Sequence, residues 1–387
     1  MAIRYFRMPA ICAFGTGASE TAGDEVKRLG CKKALIVSDS VMAKLGQVAR
    51  LQEKLSAASV QFAVYDKVDA EPTDAIVAEG LRLLRHNDCD ALVALGGGSP
   101  IDTAKAISIL ATNEGKISDF MGIGKVPKPG LPVVAIPTTA GTGSEVTGYT
   151  IITDTQKDTK MLIGSPYAMP IVALVDPDLT LSMPRGITVA TGLDALTHAI
   201  ESYVSLKSQP LTEVYSLEAI RLISANLRLV YANGNNLEAR SNMALGSLMA
   251  GIAFSNASVA LVHGMSRPIG AHFHVAHGVS NAALLGPVTG FSLMGNPRKY
   301  ADIADAMGAD TEGMGDDKAA GAGLWEIKNL IRDLKVPSLK DLGVEKSKLD
   351  RIVGQMAKDA IASGSPGNNP RIPTEQEIVE LYYIAYG

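Results

Sequence analysis

Cysteine is scarce in this chain. Cys12, Cys31 and Cys89 are the only three among 387 residues. They form no C-x-x-C pair and no metal-ligand spacing. An odd, sparse set of thiols fits a reducing compartment, where each packs as a small hydrophobe. Long apolar runs are also missing. None reaches the ~18 residues needed to span a bilayer, and the N-terminal MAIRYFRMPA lacks the apolar stretch of a secretion signal. Nor is there a block of like charge: 36 Lys and Arg against 40 Asp and Glu give a net charge of −4. These absences exclude a basic nucleic-acid face and polybasic attachment to a membrane. The expectation is a cytoplasmic protein with no nucleic-acid or membrane partner.

What is present is apolar sequence: 47% of residues are hydrophobic and only 20% charged, so each domain can bury a core and disorder is excluded. At about 150 residues per domain, the length suggests two or three domains. In the first half, short apolar runs alternate with amphipathic stretches. Ala34–Ser38, Gln61–Tyr65, Ala91–Leu95, Val133–Ile136 and Ile171–Val175 read as buried strands, with helical patterns such as Thr73–His86 and Ile101–Ala111 between them. That alternation predicts a parallel sheet covered on both faces. From about Pro184 onward the strand signal stops. Long helical periods follow at Thr188–Ser205, Leu211–Leu229, Asn236–Ala253, Lys318–Leu334 and Thr374–Ala385. The reading is an α/β domain over 1–183 and an all-helical domain over 184–387.

Two turns in the first half have the character of a ligand crevice. The strand at Ala91–Leu95 runs into Gly96-Gly97-Gly98, then Ser99-Pro100-Ile101-Asp102 opens a helix. Ser99 suits the N-cap and Asp102 the closing residue of a capping box. Glycines admit close backbone approach, and a helix start presents free N–H groups, so the turn suits a pyrophosphate. Pro137-Thr138-Thr139-Ala140-Gly141-Thr142-Gly143-Ser144-Glu145 follows the next strand and adds hydroxyls. Asp39 ends the strand Ala34–Ser38, where a carboxylate can accept the ribose hydroxyls of an adenosine and repel the extra phosphate of NADP. It can equally be a turn residue. No G-x-G-x-x-G fingerprint occurs.

Histidine is concentrated. Of six, His263, His272, His274 and His277 fall within fifteen residues, and His198 follows Asp194 by four. On a helix Asp194 and His198 share a face. One carboxylate oxygen with imidazole nitrogens suits Fe²⁺, Zn²⁺ or Mn²⁺. His263 lies near a helix start, and His277, before Gly278, falls in a loop. From spacing alone, a metal site and a coincidental cluster both stand.

Longer motifs carry a resemblance. GGGSPIDTAKA at Gly96–Ala106, PTTAGTGSEVT at Pro137–Thr147, TGLDALTHAIESYVS at Thr191–Ser205, LVHGMSRPIGAHFHVAHGVSNA at Leu261–Ala282 and NNPR at Asn368–Arg371 are similar to segments of the iron-containing (group III) alcohol dehydrogenases. That family shares the dehydroquinate-synthase-like fold. The resemblance spans nearly the whole chain and implies a Rossmann-like domain, a helical domain and an active site between them. It implies metal ligands at Asp194, His198, His263 and His277, with Fe²⁺ or alternatively Zn²⁺ as the ion. It implies NAD contacts at Asp39, Gly97, Gly98, Ser99, Asp102, Thr138, Thr139, Thr142 and Lys160, with Phe254 near the nicotinamide. The implied activity is reversible, NAD-linked oxidation of a small primary alcohol or diol, in a homodimer or larger assembly. The ion would polarise the substrate oxygen, and the proton would leave through water, a ribose hydroxyl or a histidine such as His272 or His274.

One position departs from the family pattern. Most relatives carry a further histidine four residues after the third ligand; here it is Arg267. Arginine stays protonated and cannot be a base, but its fork suits a carboxylate. This raises an ω-hydroxy acid as substrate, against an arginine that turns away to pair with an acidic residue. Two other functions stand beside the dehydrogenase. A lyase of the dehydroquinate synthase type would need more Lys and Arg around the metal motifs, and a non-catalytic metal-bound scaffold would have degraded nucleotide loops.

Overall fold

The computed structural model describes residues 3–69, 71–157 and 159–387. Two compact units emerge: Arg7–Ser182, and Met183–Gly387 together with the N-terminal residues up to Phe6. The early residues go with the helical unit because Arg4 donates to the carbonyl of Lys207, Gln209 donates to the carbonyl of Tyr5 and Phe6 stacks on Tyr215.

In the unit Arg7–Ser182, strands β1 (Ile11–Phe14), β2 (Lys33–Val37), β3 (Gln61–Tyr65), β4 (Ala91–Gly96), β6 (Val133–Pro137) and β9 (Val172–Val175) form one sheet in the order β1-β9-β6-β4-β2-β3. Every pairing in it is parallel. A smaller sheet joins β5 (Gly122–Ile123), β8 (Thr159–Gly164) and β7 (Tyr149–Asp154). Helices α1 (Ala22–Arg28), α2 (Ser40–Lys44), α3 (Gln47–Ala57), α4 (Asp74–His86) and α5 (Gly98–Thr112) connect the strands. Alternate strand residues serve opposite faces. Leu35, Val37, Leu92 and Ala94 pack with Val77, Leu84, Ile101 and Ile107, whereas Ala34, Ile36, Val93 and Leu95 pack with Val26, Leu51 and Leu55. Burial on both faces is why these strands read as continuous apolar runs.

The strands read from sequence agree with β2, β3, β4, β6 and β9 to within a residue. Strands β1, β5, β7 and β8 were not anticipated. Strand β1 has only four residues, and β7 alternates buried with half-buried or exposed positions instead of forming an apolar run. Helix α5 also corrects the expected cap. It begins at Gly98 with Gly97 as N-cap, Ser99 and Pro100 lie inside the first turn, and no side chain caps it. Asp102 cannot close a capping box because its carboxylate accepts from Ser144 and from the Ile151 N–H.

The other unit is helical throughout its described residues: α6 (Arg185–Val204), α7 (Pro210–Ala232), α8 (Leu237–Ala257), α9 (Leu261–Phe273), α10 (His277–Ser292), α11 (Pro297–Ala306), α12 (Asp316–Asp333), α13 (Lys346–Ala362) and α14 (Glu375–Tyr386). Helix α6 is buried on every side from Gly192 to Val204, as expected of a central helix with apolar residues all round. Among the described residues no single helix is long and apolar enough to cross a membrane.

Candidate functional site

In the helical unit the centre is built on α6, α9 and α10. Asp194, His198 and Glu201 stand at i, i+4 and i+7 on α6, one face of the helix, and all three are buried. Helix α9 brings His263 and α10 opens on His277, which is a helix start and not the expected loop. Gly278 permits this approach: a Cβ there would lie 2.7 Å from the carbonyl oxygen of Ala190 on α6.

Asp194, His263 and His277 each offer one ligand atom, all within 4.8 Å of one another. His263 Nε2 is 3.6 Å and His277 Nε2 3.8 Å from Asp194 Oδ1. Metal bonds of ~2.0–2.2 Å at tetrahedral angles place neighbouring ligand atoms about 3.4 Å apart, so a small divalent ion fits with little movement. His198 lies outside this triangle. Its ring stacks on Phe254 at 4.1 Å and on His263 at 4.5 Å.

The triangle carries more lone pairs than protons. Asn281 Nδ2 lies 2.7 Å from Asp194 Oδ1 and 3.1 Å from the Nε2 atoms of both His263 and His277. Two amide hydrogens cannot serve three acceptors, and Asn281 Oδ1 is buried without a hydrogen-bond partner. A cation meets that excess; without one, protons must. Burial disfavours a charged His263, but hydrogen bonds to Asp194 and Glu201 outweigh it and push its pKa up to about 9. Burial likewise opposes ionisation of Asp194, yet the three histidines hold its carboxyl well below the usual range.

The remaining expected residues of this unit sit elsewhere. His272 faces Asp359 at 3.6 Å. His274 ends α9 with a left-handed φ of 55°, its side chain exposed. Neither belongs to the converging group. Arg267 is one turn along α9 from His263 and partly buried, and no acidic residue within ion-pair distance faces it among the described residues. Burial lowers its pKa, with Glu201 partly offsetting that.

In the α/β unit the expected nucleotide residues gather at the C-terminal ends of β2, β4 and β6. Gly96 has φ 154°, and a Cβ on it would lie 3.1 Å from Asp39 Oδ2. A Cβ on Gly97 would meet Thr139 at 3.4 Å, and one on Gly98 would meet Thr142 at 3.1 Å. Thr138 donates its N–H to the Gly96 carbonyl, tying the two turns together. Asp39 is also the N-cap of α2. Its Oδ1 accepts from Val41 and Met42, which leaves Oδ2 beside Gly96. Thr139 Oγ1 is buried with no hydrogen-bond partner among the described residues. Lys160 lies on β8 in the smaller sheet, with its ammonium 2.6 Å from Glu71.

A sequence profile of the iron-containing alcohol dehydrogenases matches residues 9–177, and that of the Fe-containing alcohol dehydrogenase family, C-terminal, matches residues 188–386. The chain belongs to the iron-containing alcohol dehydrogenase family. It is 41% identical over 384 residues to 1,3-propanediol dehydrogenase of Citrobacter freundii, covering 98% of each chain. It is 37% identical over 377 residues to the NAD-dependent methanol dehydrogenase of Bacillus methanolicus, covering 97% of this chain and 98% of that one. The crystal structure of a 1,3-propanediol oxidoreductase superposes with a TM-score of 0.96 at 40% identity, covering 99% of this chain and 100% of the other. This alcohol dehydrogenase is thus an oxidoreductase interconverting alcohols and aldehydes, with iron as the family's metal and an NAD-dependent enzyme among its relatives.

Two residues of the dehydrogenase's centre escaped the sequence reading. Glu201 lies three positions after His198 on a predicted helix, whereas Asn281 lies four after His277, which the sequence reading placed in a loop. An acid and an amide read by default as surface residues, and only the contacts reveal them.

Beneath the nucleotide turns lies a buried charged group. Lys105 Nζ donates to Ser144 Oγ at 2.8 Å, Thr147 Oγ1 at 3.2 Å and the Tyr149 carbonyl at 2.8 Å. Glu145 is buried alongside. Burial raises its pKa from 4.5 to about 7, against lowering by its own backbone N–H and by Lys105. Because the folded value exceeds the unfolded one, the folded state retains a proton between pH 4.5 and 7 that the unfolded chain releases. Stability from this group is present below pH 4.5 and lost as the pH rises to about 7, by about 3 kcal/mol. Glu145→Gln is expected to flatten that part of the profile in urea unfolding across pH. An unchanged slope would show that Glu145 ionises freely in the folded protein.

Proposed function

We propose that Asp194, His198, His263 and His277 together hold one divalent ion, Fe²⁺ or alternatively Zn²⁺, and that this centre acts on a small primary alcohol or diol. The carrying observation is the triangle of Asp194, His263 and His277, whose spacing and donor types suit such an ion. His198 supplies the fourth donor from the same face of α6. When bound, the ion supplies Lewis acidity toward an alcohol or carbonyl oxygen. The residues around it orient the substrate and limit water: Phe254, stacked on His198, forms an apolar wall suited to a nicotinamide ring. The substrate proton leaves through water near His277, the most exposed of the three converging ligands, with His274 at the solvent end.

NAD is held by Asp39, Gly97, Gly98, Ser99, Thr138, Thr139 and Thr142. Asp102 serves from behind, through Ser144, and Lys160 exchanges Glu71 for the cofactor. Preference for NAD over NADP rests on Asp39 Oδ2, the oxygen left free by the α2 cap. A 2′-phosphate beside it costs on the order of a few kcal/mol when partly desolvated. Asp39→Gly is expected to narrow the ratio of kcat/KM between the two cofactors. Equal efficiency with both in the natural enzyme would remove this role. The enzyme works in the cytoplasm, consistent with three free cysteines, and as a homo-oligomer, consistent with the exposed Ile3, Tyr5, Leu211 and Val214.

Arg267 sets substrate choice. A partly buried guanidinium without an acidic partner is costly unless a ligand supplies the anion. Butanol and 4-hydroxybutyrate, compared in the natural enzyme and in Arg267→His with metal quantified, test both levels. Loss chiefly on the acid, by ~1.5–3 kcal/mol, supports anion recognition. An equal effect on both substrates, or no turnover of the acid, limits the enzyme to neutral alcohols.

A further inference from the structure

We infer that Glu201 is a positioning residue of the metal centre, fixing both the tautomer of His263 and the start of the helix that carries it. The inference rests on the proposed metal centre and concerns a residue that reaches that centre through His263.

Glu201 lies on α6, seven residues after Asp194, and is 3% exposed. A carboxylate so buried requires partners for both oxygens. Oε2 accepts from His263 Nδ1 at 2.6 Å and from the Ala260 N–H at 2.9 Å, and Oε1 accepts from the Val262 N–H. Ala260 is the N-cap of α9 and has no side chain able to cap it. Glu201 therefore performs from another helix what a cap residue performs locally, and its negative charge meets the positive end of the α9 dipole.

The consequence for His263 follows from acceptor chemistry. A carboxylate only accepts, so the proton between it and the ring sits on Nδ1. That leaves the Nε2 lone pair on the edge facing Asp194 Oδ1, 3.6 Å away. A histidine that donates one ring N–H to a carboxylate is held in orientation and made a stronger donor through its other nitrogen. One side chain thus controls where the helix begins, how the ring is turned and which nitrogen is free. At His277, Nδ1 meets a neutral group, the hydroxyl of Ser266, at 3.3 Å.

Glutamine at 201 keeps the shape and removes the charge. Its NH₂ must face either the helix N–H groups or His263 Nδ1, and the second arrangement moves the ring proton to Nε2, where it blocks metal binding. The test uses Zn²⁺ as a diamagnetic probe of the full-length, chelator-stripped protein. Zn²⁺ affinity is measured by competition with a chelator, the His263 tautomer by ¹⁵N NMR, and folding by thermal unfolding.

The natural protein is expected to bind one Zn²⁺ with the His263 proton on Nδ1. E201Q is expected to lose affinity by ~10–100-fold and to gain signal from the Nε2-protonated form. E201D keeps the charge but is one methylene short, and is expected to fall between them. Unchanged affinity or an unchanged tautomer in E201Q overturns the inference. If E201Q does not fold, E201D carries the test, and natural affinity there overturns it. Failure of both variants to fold also overturns it, since Glu201 would then serve the fold alone. A natural protein that binds no Zn²⁺ or Fe²⁺ removes the metal centre itself, a different outcome from any of these.

Discussion

Replacing His263 with alanine is expected to lower kcat/KM for alcohol oxidation by on the order of 10³-fold or more, while the protein stays folded. Lewis-acid assistance is worth several kcal/mol of transition-state stabilisation, and each 1.36 kcal/mol is about tenfold in rate. His263 is central to the donor set: its ring lies 4.5 Å from that of His198 and 5.2 Å from that of His277, and its Nε2 faces Asp194. Removing it leaves two donors in the converging triangle. The fold should survive because Glu201 keeps its backbone partners at Ala260 and Val262. Metal content, kcat/KM and melting temperature measured on one preparation check this. A variant that melts normally, holds no ion and turns over at the natural rate would contradict it.

The second large effect concerns stability. Lys105→Met is expected to destabilise the α/β unit by about 3–5 kcal/mol, the cost of breaking a buried ion pair from one side. Lys105 is fully buried, with its ammonium 3.6 Å from Asp102 Oδ1 and bonded to Ser144, Thr147 and Tyr149. Burial lowers the Lys105 pKa against the pull of Asp102 and Glu145, and raises that of Asp102 against the pull of Lys105. In both, the partner offsets part of what burial costs the charged form. Methionine matches the lysine stem in volume but leaves the carboxylate of Asp102 uncompensated. Replacing both, as Lys105→Met with Asp102→Asn, should cost less than the sum of the single changes, because the two are coupled. Urea unfolding of the four proteins measures this coupling. Additive effects would show that the two charges stand independently.

The same residues show how far the sequence could be read. Helical spacing placed Asp194 and His198 on one face, and the strand-to-turn pattern marked Gly96–Gly98 and Pro137–Glu145 as neighbours at the sheet's C-terminal edge. Both depend on local periodicity, which sequence carries. What periodicity could not give was the use of each side chain. Asp102 read as a helix cap and is a brace bonded to β7 and Ser144. Asp39 read as either turn residue or ribose acceptor; one oxygen caps α2 and the other lies beside Gly96. Glu201 had the right helical spacing but the wrong residue type to stand out, and Asn281 followed a histidine that was read as part of a loop. Their roles arise from α9 and α10 meeting α6, a tertiary fact fixed in part by the bare backbone of Gly278.

The central claim, that Asp194, His198, His263 and His277 form one catalytic metal centre, is tested most directly by anaerobic titration of the chelator-stripped protein with Fe²⁺. NAD-dependent alcohol oxidation is followed at each addition. Activity is expected to rise from near zero in proportion to bound iron and to level off at one ion per chain, with no such rise in His263→Ala. Full turnover in the stripped protein before any ion is added would contradict the claim.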